Sequence, residues 1–271
     1  MKDNISKNQS ICVLISCMHQ KDDSIIKKSN LQTDAVVVNQ CDKDCIEDYF
    51  FLNKDNKRCH VKFICTTERG LSRSRNMAIK NAIDADICLL SDDDERFEDD
   101  YENKIMEAYT QHPEADFISF ACNRSGYLYP SNWKKMDFKD ILKTSSIQIT
   151  FRREVVLLHN LQFDEKMGSG TDNGAGEENK FMMDLKKKGC KMFYCPSVIT
   201  TLLSSNSLWH NGVDDKYLRN RGWSSRRILG PFIGYIFIWY NIIKHRHSFV
   251  SKDYSLWSVI KCVHKGFFEK R

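Results

Sequence analysis

Between residues 11 and 90, four short runs rich in β-forming residues alternate with segments of helical spacing. This rhythm limits what the chain can fold into more than any other feature. ICVLISCM (11–18), AVVVNQ (35–40), VKFICT (61–66) and DICLL (86–90) have the length and branched-residue content of buried strands. Residues 21–32 read as a short helix and DCIEDYFFL (44–52) as another. TERGLSRSRNMAIKNAIDA reads as a third helix. Gly70 marks its turn, Ser72 its cap, and Met77, Ile79 and Ile83 its apolar positions. Strands and helices in this order imply a single, mostly parallel central sheet flanked by helices, an α/β fold. A chain of 271 residues is long enough to bury a sizeable core.

The second half has another texture. DFISFACNRSG (116–126) and SSIQITFRRE (145–154) read as strands, with an aromatic loop-like stretch, GYLYPSNWKKMDF, between them. GSGTDNGAGEEN (168–179) holds four glycines. It leads into KFMMDLKKKG, a helix ended by Gly189, and then KMFYCPSVIT, a strand. Nothing marks a boundary before about residue 215. We therefore expect a catalytic-type domain over residues 1–218, with a basic, aromatic-rich helical extension over 219–271. Within the first, residues 11–100 form one half and 101–218 the other.

Charge supports that division. From Arg219 onward there are 11 lysines and arginines against two acids, Asp253 and Glu269, a balance of +9. The whole chain carries +5, so the first 218 residues sum to −4. Basic residues interleaved with rings suit an anionic membrane surface. They would equally suit nucleic acid, but no helix-turn-helix, finger or stacking-sheet motif accompanies them, so nucleic acid is not expected as a partner. No stretch reaches the apolar length of a membrane span. ILGPFIGYIFIWYNII (228–243) is interrupted by Gly230, Pro231, Gly234 and Asn241. The N-terminal MKDNISKNQS is polar, with no cleavage-site pattern behind it. The 11 cysteines, many in apolar runs, read as reduced buried thiols. Cys41 and Cys45 have no second pair at zinc-site spacing. The expected location is cytoplasmic, peripheral on the inner face of the membrane.

Two acidic clusters stand out. The fourth strand ends in SDDD, at the end of a parallel sheet where ligands collect. In extended chain Asp92 and Asp94 share a face and Asp93 takes the other. Their hard oxygens suit Mg²⁺ or Mn²⁺ completed by substrate phosphates; a solvated acidic turn is the plainer alternative. Arg73, Arg75 and Asn76, near the start of the preceding helix, suit phosphate. Glu177 and Glu178 follow the glycine-rich loop and open a helix. Either could take a proton from an attacking hydroxyl, or serve only as a helix cap.

In combination these segments resemble the family 2 glycosyltransferases, and more closely the bacterial branch that builds capsular and other surface polysaccharides. The resemblance is carried by ICVLISCMHQKD, by ERGLSRSRNMAIKNAIDADICLLSDDDERF, by LQFDEKMGSGTDNGAGEENKFMMDLKKKGCKMFYCP and by SLWHNGVDDKYLRNRGWSSRRILG, over residues 11 to about 230.

The resemblance implies a GT-A fold and inverting, divalent-metal-dependent transfer of a sugar from a nucleotide donor. UDP is the expected nucleotide, and the expected acceptor is a saccharide or lipid-linked saccharide. The metal motif falls on Asp92 and Asp94, with Asp94 or Asp93 as the main ligand. The family's acceptor-side Glu-Asp reads Glu177-Glu178 here, with Glu178 in the position of the base. Ser16, Asn39, Gln40, Arg73, Arg75, Asn76, Asp92 and Asp93 are placed on the nucleotide-sugar side. Asp42 is an alternative to Asn39 or Gln40 against the base. His210 falls near a metal-ligating histidine of some relatives. Two other classes are open: a metal-dependent nucleotidyltransferase, for which only Lys21 lies near the first strand, and a non-catalytic scaffold of the same fold.

Overall fold

The computed structural model describes residues 9–203, 213–250 and 254–271. It begins β1 (Ile11–Met18), α1 (Ser24–Lys28), β2 (Asp34–Gln40), β3 (Cys45–Leu52), β4 (Arg58–Thr66), α2 (Leu71–Asn81) and β5 (Ile87–Asp92). It continues with β6 (Glu95–Phe97), α3 (Tyr101–Gln111), β7 (Phe117–Asn123), β8 (Lys134–Lys135), α4 (Phe138–Ile141), β9 (Ile149–Arg152) and α5 (Arg153–Leu158). Then come α6 (Glu177–Lys187), β10 (Met192–Leu202), α7 (Asp215–Leu229), α8 (Pro231–Lys244), α9 (Arg246–Phe249) and α10 (Leu256–Phe268).

All ten strands form one sheet, in the order β3-β4-β2-β1-β5-β9-β7-β10-β6, with β8 pairing β10. The block β4-β2-β1-β5 is parallel, as the alternation of strands and helices demands. β3, β9, β6 and β8 join antiparallel. Successive residues of β1 face opposite sides, as strand geometry requires. Cys12 and Leu14 pack with α2 and α6 on one face, while Val13 and Ile15 pack with α1 and α3 on the other. Both faces are thus covered, which is why these strands are apolar throughout rather than alternating.

The segment 44–52, expected as a helix, is instead the edge strand β3. Its apolar residues satisfy both periods. What decides is a paired neighbour: β3 runs antiparallel along β4 from Cys45 opposite Cys65 to Leu52 opposite Arg58. Cys45, Tyr49 and Phe51 face the core at a period of two. On the outer face the Arg58 guanidinium lies 3.7 Å from the centre of the Phe50 ring. The segment 145–154 is a strand only over its middle, with a 3₁₀ turn at Ser146–Gln148 before it and α5 after it.

The expected division after residue 218 falls inside α7. Trp223, Ile228 and Leu229 of that helix belong to the same core cluster as Phe181 and Met182 of α6. α8, α9 and α10 close over its other side through Leu218, Ile238, Ile242, Phe249, Val259, Val263 and Phe267. Among the described residues no helix is long and apolar enough to cross a membrane.

Candidate functional site

The parallel register aligns the ends of three strands. Ser16 lies opposite Asp92, Cys17 opposite Asn39 and Met18 opposite Gln40. Four polar residues expected on the nucleotide-sugar side are therefore neighbours, and all four are engaged within the protein. Ser16 Oγ lies 2.8 Å from Ser74 Oγ, both buried. Asn39 is buried, accepts from Gln20 N at 3.0 Å and donates to Gln20 O at 2.9 Å, holding the loop after β1. Gln40 Oε1 accepts from Gly70 N at 2.7 Å, fixing the entry to α2. These contacts fix the strand ends and the loops that leave them. Asp42 is exposed and paired with Arg69 at 2.8 Å.

α2 then ties the two acidic clusters together. Its Ser72 is not the cap; Gly70 occupies that position. Ser72 Oγ instead donates to Met167 O at 2.7 Å. Asn76 clamps Phe163 from both sides, donating to its carbonyl at 2.9 Å and accepting from its N–H at 2.8 Å. Arg73 is half-exposed and meets Glu165 at 3.1 Å. The segment before Glu177 is thereby laid along α2. The glycines permit the approach: at Gly170 (φ +84°) a Cβ would come within 3.2 Å of Gly70 Cα. At Gly168 (φ +95°) it would come within 3.2 Å of the Glu177 carboxyl carbon.

The centre of this arrangement is Arg75, which is 1% exposed. One guanidinium nitrogen donates to Glu177 Oε1 at 2.9 Å; the other donates to Asp92 Oδ1 at 3.1 Å. Burial works against its charge, but the nearby carboxylates of Asp92, Glu177 and Glu178 outweigh it and hold the group protonated. Asp92 also accepts from Ser146 Oγ at 3.0 Å, and its N–H donates to Glu95 Oε1 at 2.8 Å. Glu95 is fully buried and contacts Thr200 Oγ1 at 2.9 Å. Burial, followed by the Asp92 charge, pushes its carboxyl up to about 8. Asp93 accepts from Gln20 Nε2 at 3.3 Å through its carboxylate and from Lys28 Nζ at 2.6 Å through its carbonyl. The carbonyl of Asp94 accepts from Leu203 N at 2.8 Å.

Glu177 and Glu178 open α6 behind Gly176, whose backbone is left-handed. Glu177 is buried and committed to Arg75; its Oε2 has no partner. Glu178 is half-buried. Burial first, and the Glu177 charge second, raise its carboxyl to about 8, with Arg75 pulling the other way. A carboxyl so displaced is suited to proton exchange near neutral pH.

Among the described residues, no three His, Cys, Asp or Glu side chains converge as a preformed metal cluster. The donor set still fits a hard cation. Asp93 and Asp94 offer oxygen ligands, and Mg²⁺-type ions commonly take one or two carboxylates and complete their shell with phosphate and water. His210 lies outside the described residues. Gln20, Ser146 and Glu95 were not anticipated. Only Glu95 left a trace in the sequence, as a fourth acid directly after the three aspartates.

A parallel Rossmann-like nucleus, extended by antiparallel strands and with acids at the end of β5, is the GT-A arrangement. Residues 23–172 match the family described as Glycosyl transferase family 2, more than half of the chain, and the protein belongs to that family. It is a glycosyltransferase, transferring sugar from a nucleotide-sugar donor to an acceptor, and the nucleotidyltransferase and scaffold readings give way. The fold is similar to the crystal structure of S. aureus TarS 1–349: 14% identity, TM-score 0.60, covering 94% of this chain and 81% of that one. It is also similar to TarS 1–349 in complex with UDP-GlcNAc, at 15% identity and TM-score 0.59, covering 94% and 82%. The complex of the same protein with UDP gives 14% and 0.56, covering 90% and 76%. No curated protein matches the sequence.

Proposed function

We propose that the protein is an inverting, divalent-cation-dependent glycosyltransferase that moves a sugar from a UDP-sugar to a hydroxyl of a saccharide or lipid-linked saccharide. The observation that carries this reading is the Arg75 bridge. It brings the end of β5, with Asp92, and the start of α6, with Glu177, to opposite sides of one guanidinium. The two ends of a single displacement need carboxylates of opposite duty. One set serves the departing nucleoside diphosphate, and one group receives the acceptor's proton.

Glu178 is the proposed base. It takes the proton as the acceptor oxygen attacks the anomeric carbon. The bond from that carbon to the diphosphate oxygen breaks on the opposite face, and the configuration inverts with no sugar–enzyme bond. Glu177 is held by Arg75 and orients the helix start that presents Glu178. Asp94 and Asp93 would hold Mn²⁺ or Mg²⁺, which supplies charge neutralisation for the leaving diphosphate. Asp92, engaged by Arg75, acts from behind them. Arg73 is the half-exposed arginine of the site and faces the donor side in this reading. Uridine is favoured by the fold similarity to a protein crystallised with UDP and UDP-GlcNAc. Surface-polysaccharide synthesis at the inner face of the cytoplasmic membrane is the proposed setting.

The test is release of nucleoside diphosphate from a panel of UDP-, GDP- and TDP-sugars, with Mn²⁺ and with EDTA. Mn²⁺-stimulated release from a UDP-sugar is expected. Equal release in EDTA would remove the cation, and preference for GDP or TDP would remove uridine. With an acceptor in hand, NMR of the first-formed anomer decides inversion.

A further inference from the structure

α8 has two faces that disagree about water. Gly234, Ile238, Asn241 and Ile242 are buried against the neighbouring helices. Docking is tight, since a Cβ on Gly234 would meet Ser225 O at 2.7 Å, so the helix cannot roll to bury its other side. That other side carries Phe232, Ile236, Tyr240 and Ile243, spaced as one helical stripe and 85%, 70%, 53% and 63% exposed. The only charge on this 14-residue helix is Lys244, whose ammonium lies 5.4 Å from the centre of the Tyr240 ring.

The ridge continues onto α10. Tyr235 lies 6.2 Å from Phe268 between ring centres, and Trp239 lies 5.1 Å from His264. On the same side of α10 as His264 and Phe268, at helical spacing, stand the exposed Lys261 and Lys265 and the 80% exposed Trp257. The chain has one acid, Asp253, between Gly230 and Phe268. A contiguous apolar ridge with a cationic border marks an interaction surface.

We propose that the outward face of α8, with the adjoining face of α10, lies in the headgroup layer of an anionic membrane. Pro231 starts the helix, and 14 residues extend for about 21 Å, short of the roughly 30 Å hydrocarbon core. The helix therefore lies in the plane, its rings and aliphatic chains below the lysines that meet the phosphates. A second copy is the competing occupant. A two-fold pairing sets each patch against itself, so Lys244, Lys261 and Lys265 would oppose their own kind. An anionic surface has the complementary charge. This deepens the location proposed above and depends on neither the sugar nor the cation.

The experiment is vesicle flotation of the full chain on phosphatidylcholine alone and with roughly one-third phosphatidylglycerol, at low and raised salt. Flotation on the anionic vesicles at low salt is expected, with loss on the neutral ones. Lys261→Glu with Lys265→Glu should weaken it at least about tenfold. Phe232→Ser with Ile236→Ser and Ile243→Ser should weaken it by a similar factor, about tenfold or more. Both variants should keep the parent's melting temperature and its release of UDP from donor in solution. If UDP release is missing throughout, the catalytic reading fails and this one stands. Retained flotation in the serine variant overturns the proposal, as does equal binding to neutral vesicles. A vesicle-free dimer that the serine variant dissociates also overturns it, assigning the ridge to a second copy.

Discussion

Arg75 carries a full charge where no water reaches it, and its two carboxylate partners make that tolerable. Removing one member of such a buried group leaves the others uncompensated, which costs more than the group contributes when whole. Arg75→Met should therefore destabilise the protein by about 3–5 kcal/mol in urea unfolding. Combining it with Asp92→Asn and Glu177→Gln should recover most of the loss, because the stranded charges go with it. A fully additive triple variant would refute the bridge. Glu178 yields a second expectation. Its carboxyl is raised to about 8, so the base form accumulates as pH rises through that value. The transfer rate should climb toward a plateau above about pH 8, and Glu178→Gln should lower kcat by roughly 10²–10⁴-fold with donor affinity little changed. A wild-type profile flat between about pH 6 and 9 would move the base elsewhere. The acids were legible in the sequence because charge at the end of an apolar strand is costly without a purpose. The bridge was not, because Arg75 and Glu177 are 102 positions apart and nothing local pairs them.

At the scale of elements, helix packing near the C-terminus rests on missing side chains. α7 and α10 cross where Gly222 faces Val263 and Gly266 faces Arg219. A Cβ at either glycine would stand 1.9 Å from the opposing carbonyl oxygen. Backbone cannot yield as a flexible side chain would, so the helices must separate. Gly266→Ala should cost at least about 1–3 kcal/mol, more than its gain in helix propensity returns. Denaturant unfolding measures this, and a neutral outcome would mean that the two helices are not in backbone contact at the crossing. Nothing local in the sequence pairs these two glycines with the carbonyls they face. The parallel strands were legible for the opposite reason: a strand buried on both faces needs an unbroken apolar run, and 11–18 has one. Residues 44–52 deceived because Cys45, Ile46, Tyr49 and Phe50 fit a helical face as well as a strand. Only the neighbouring β4 decides between them.

At the scale of the whole molecule, the charge shift near residue 219 suggested an appendage, whereas the packing makes this region part of the body. Composition reports what a segment presents to solvent, and the +9 balance does so correctly for the outward face. It says nothing of the inward face, where Trp223 contributes to the main core and its ring meets two arginines. Arg227 lies 4.9 Å and Arg271 5.8 Å from its ring centre. The Arg227 side chain is in turn paired with Asp164 in the loop that Asn76 clamps at Phe163. Arg219 pairs with Glu269 at 2.7 Å, joining the beginning of the region to its end. A chain stopping at residue 218 would break α7 one turn in and expose the side of α6 that Trp223, Ile228 and Leu229 cover. We expect such a chain to be insoluble, or to melt far below the full protein, with no transfer activity. The measurement is a thermal melt of both chains followed by limited proteolysis. If the 1–218 chain melts cooperatively at the parent temperature and resists protease, the C-terminal helices are an appendage after all. In the expected case, the ridge on α8 proposed to meet the membrane belongs to the same folded unit as the site at the end of β5, and is fixed in orientation relative to it.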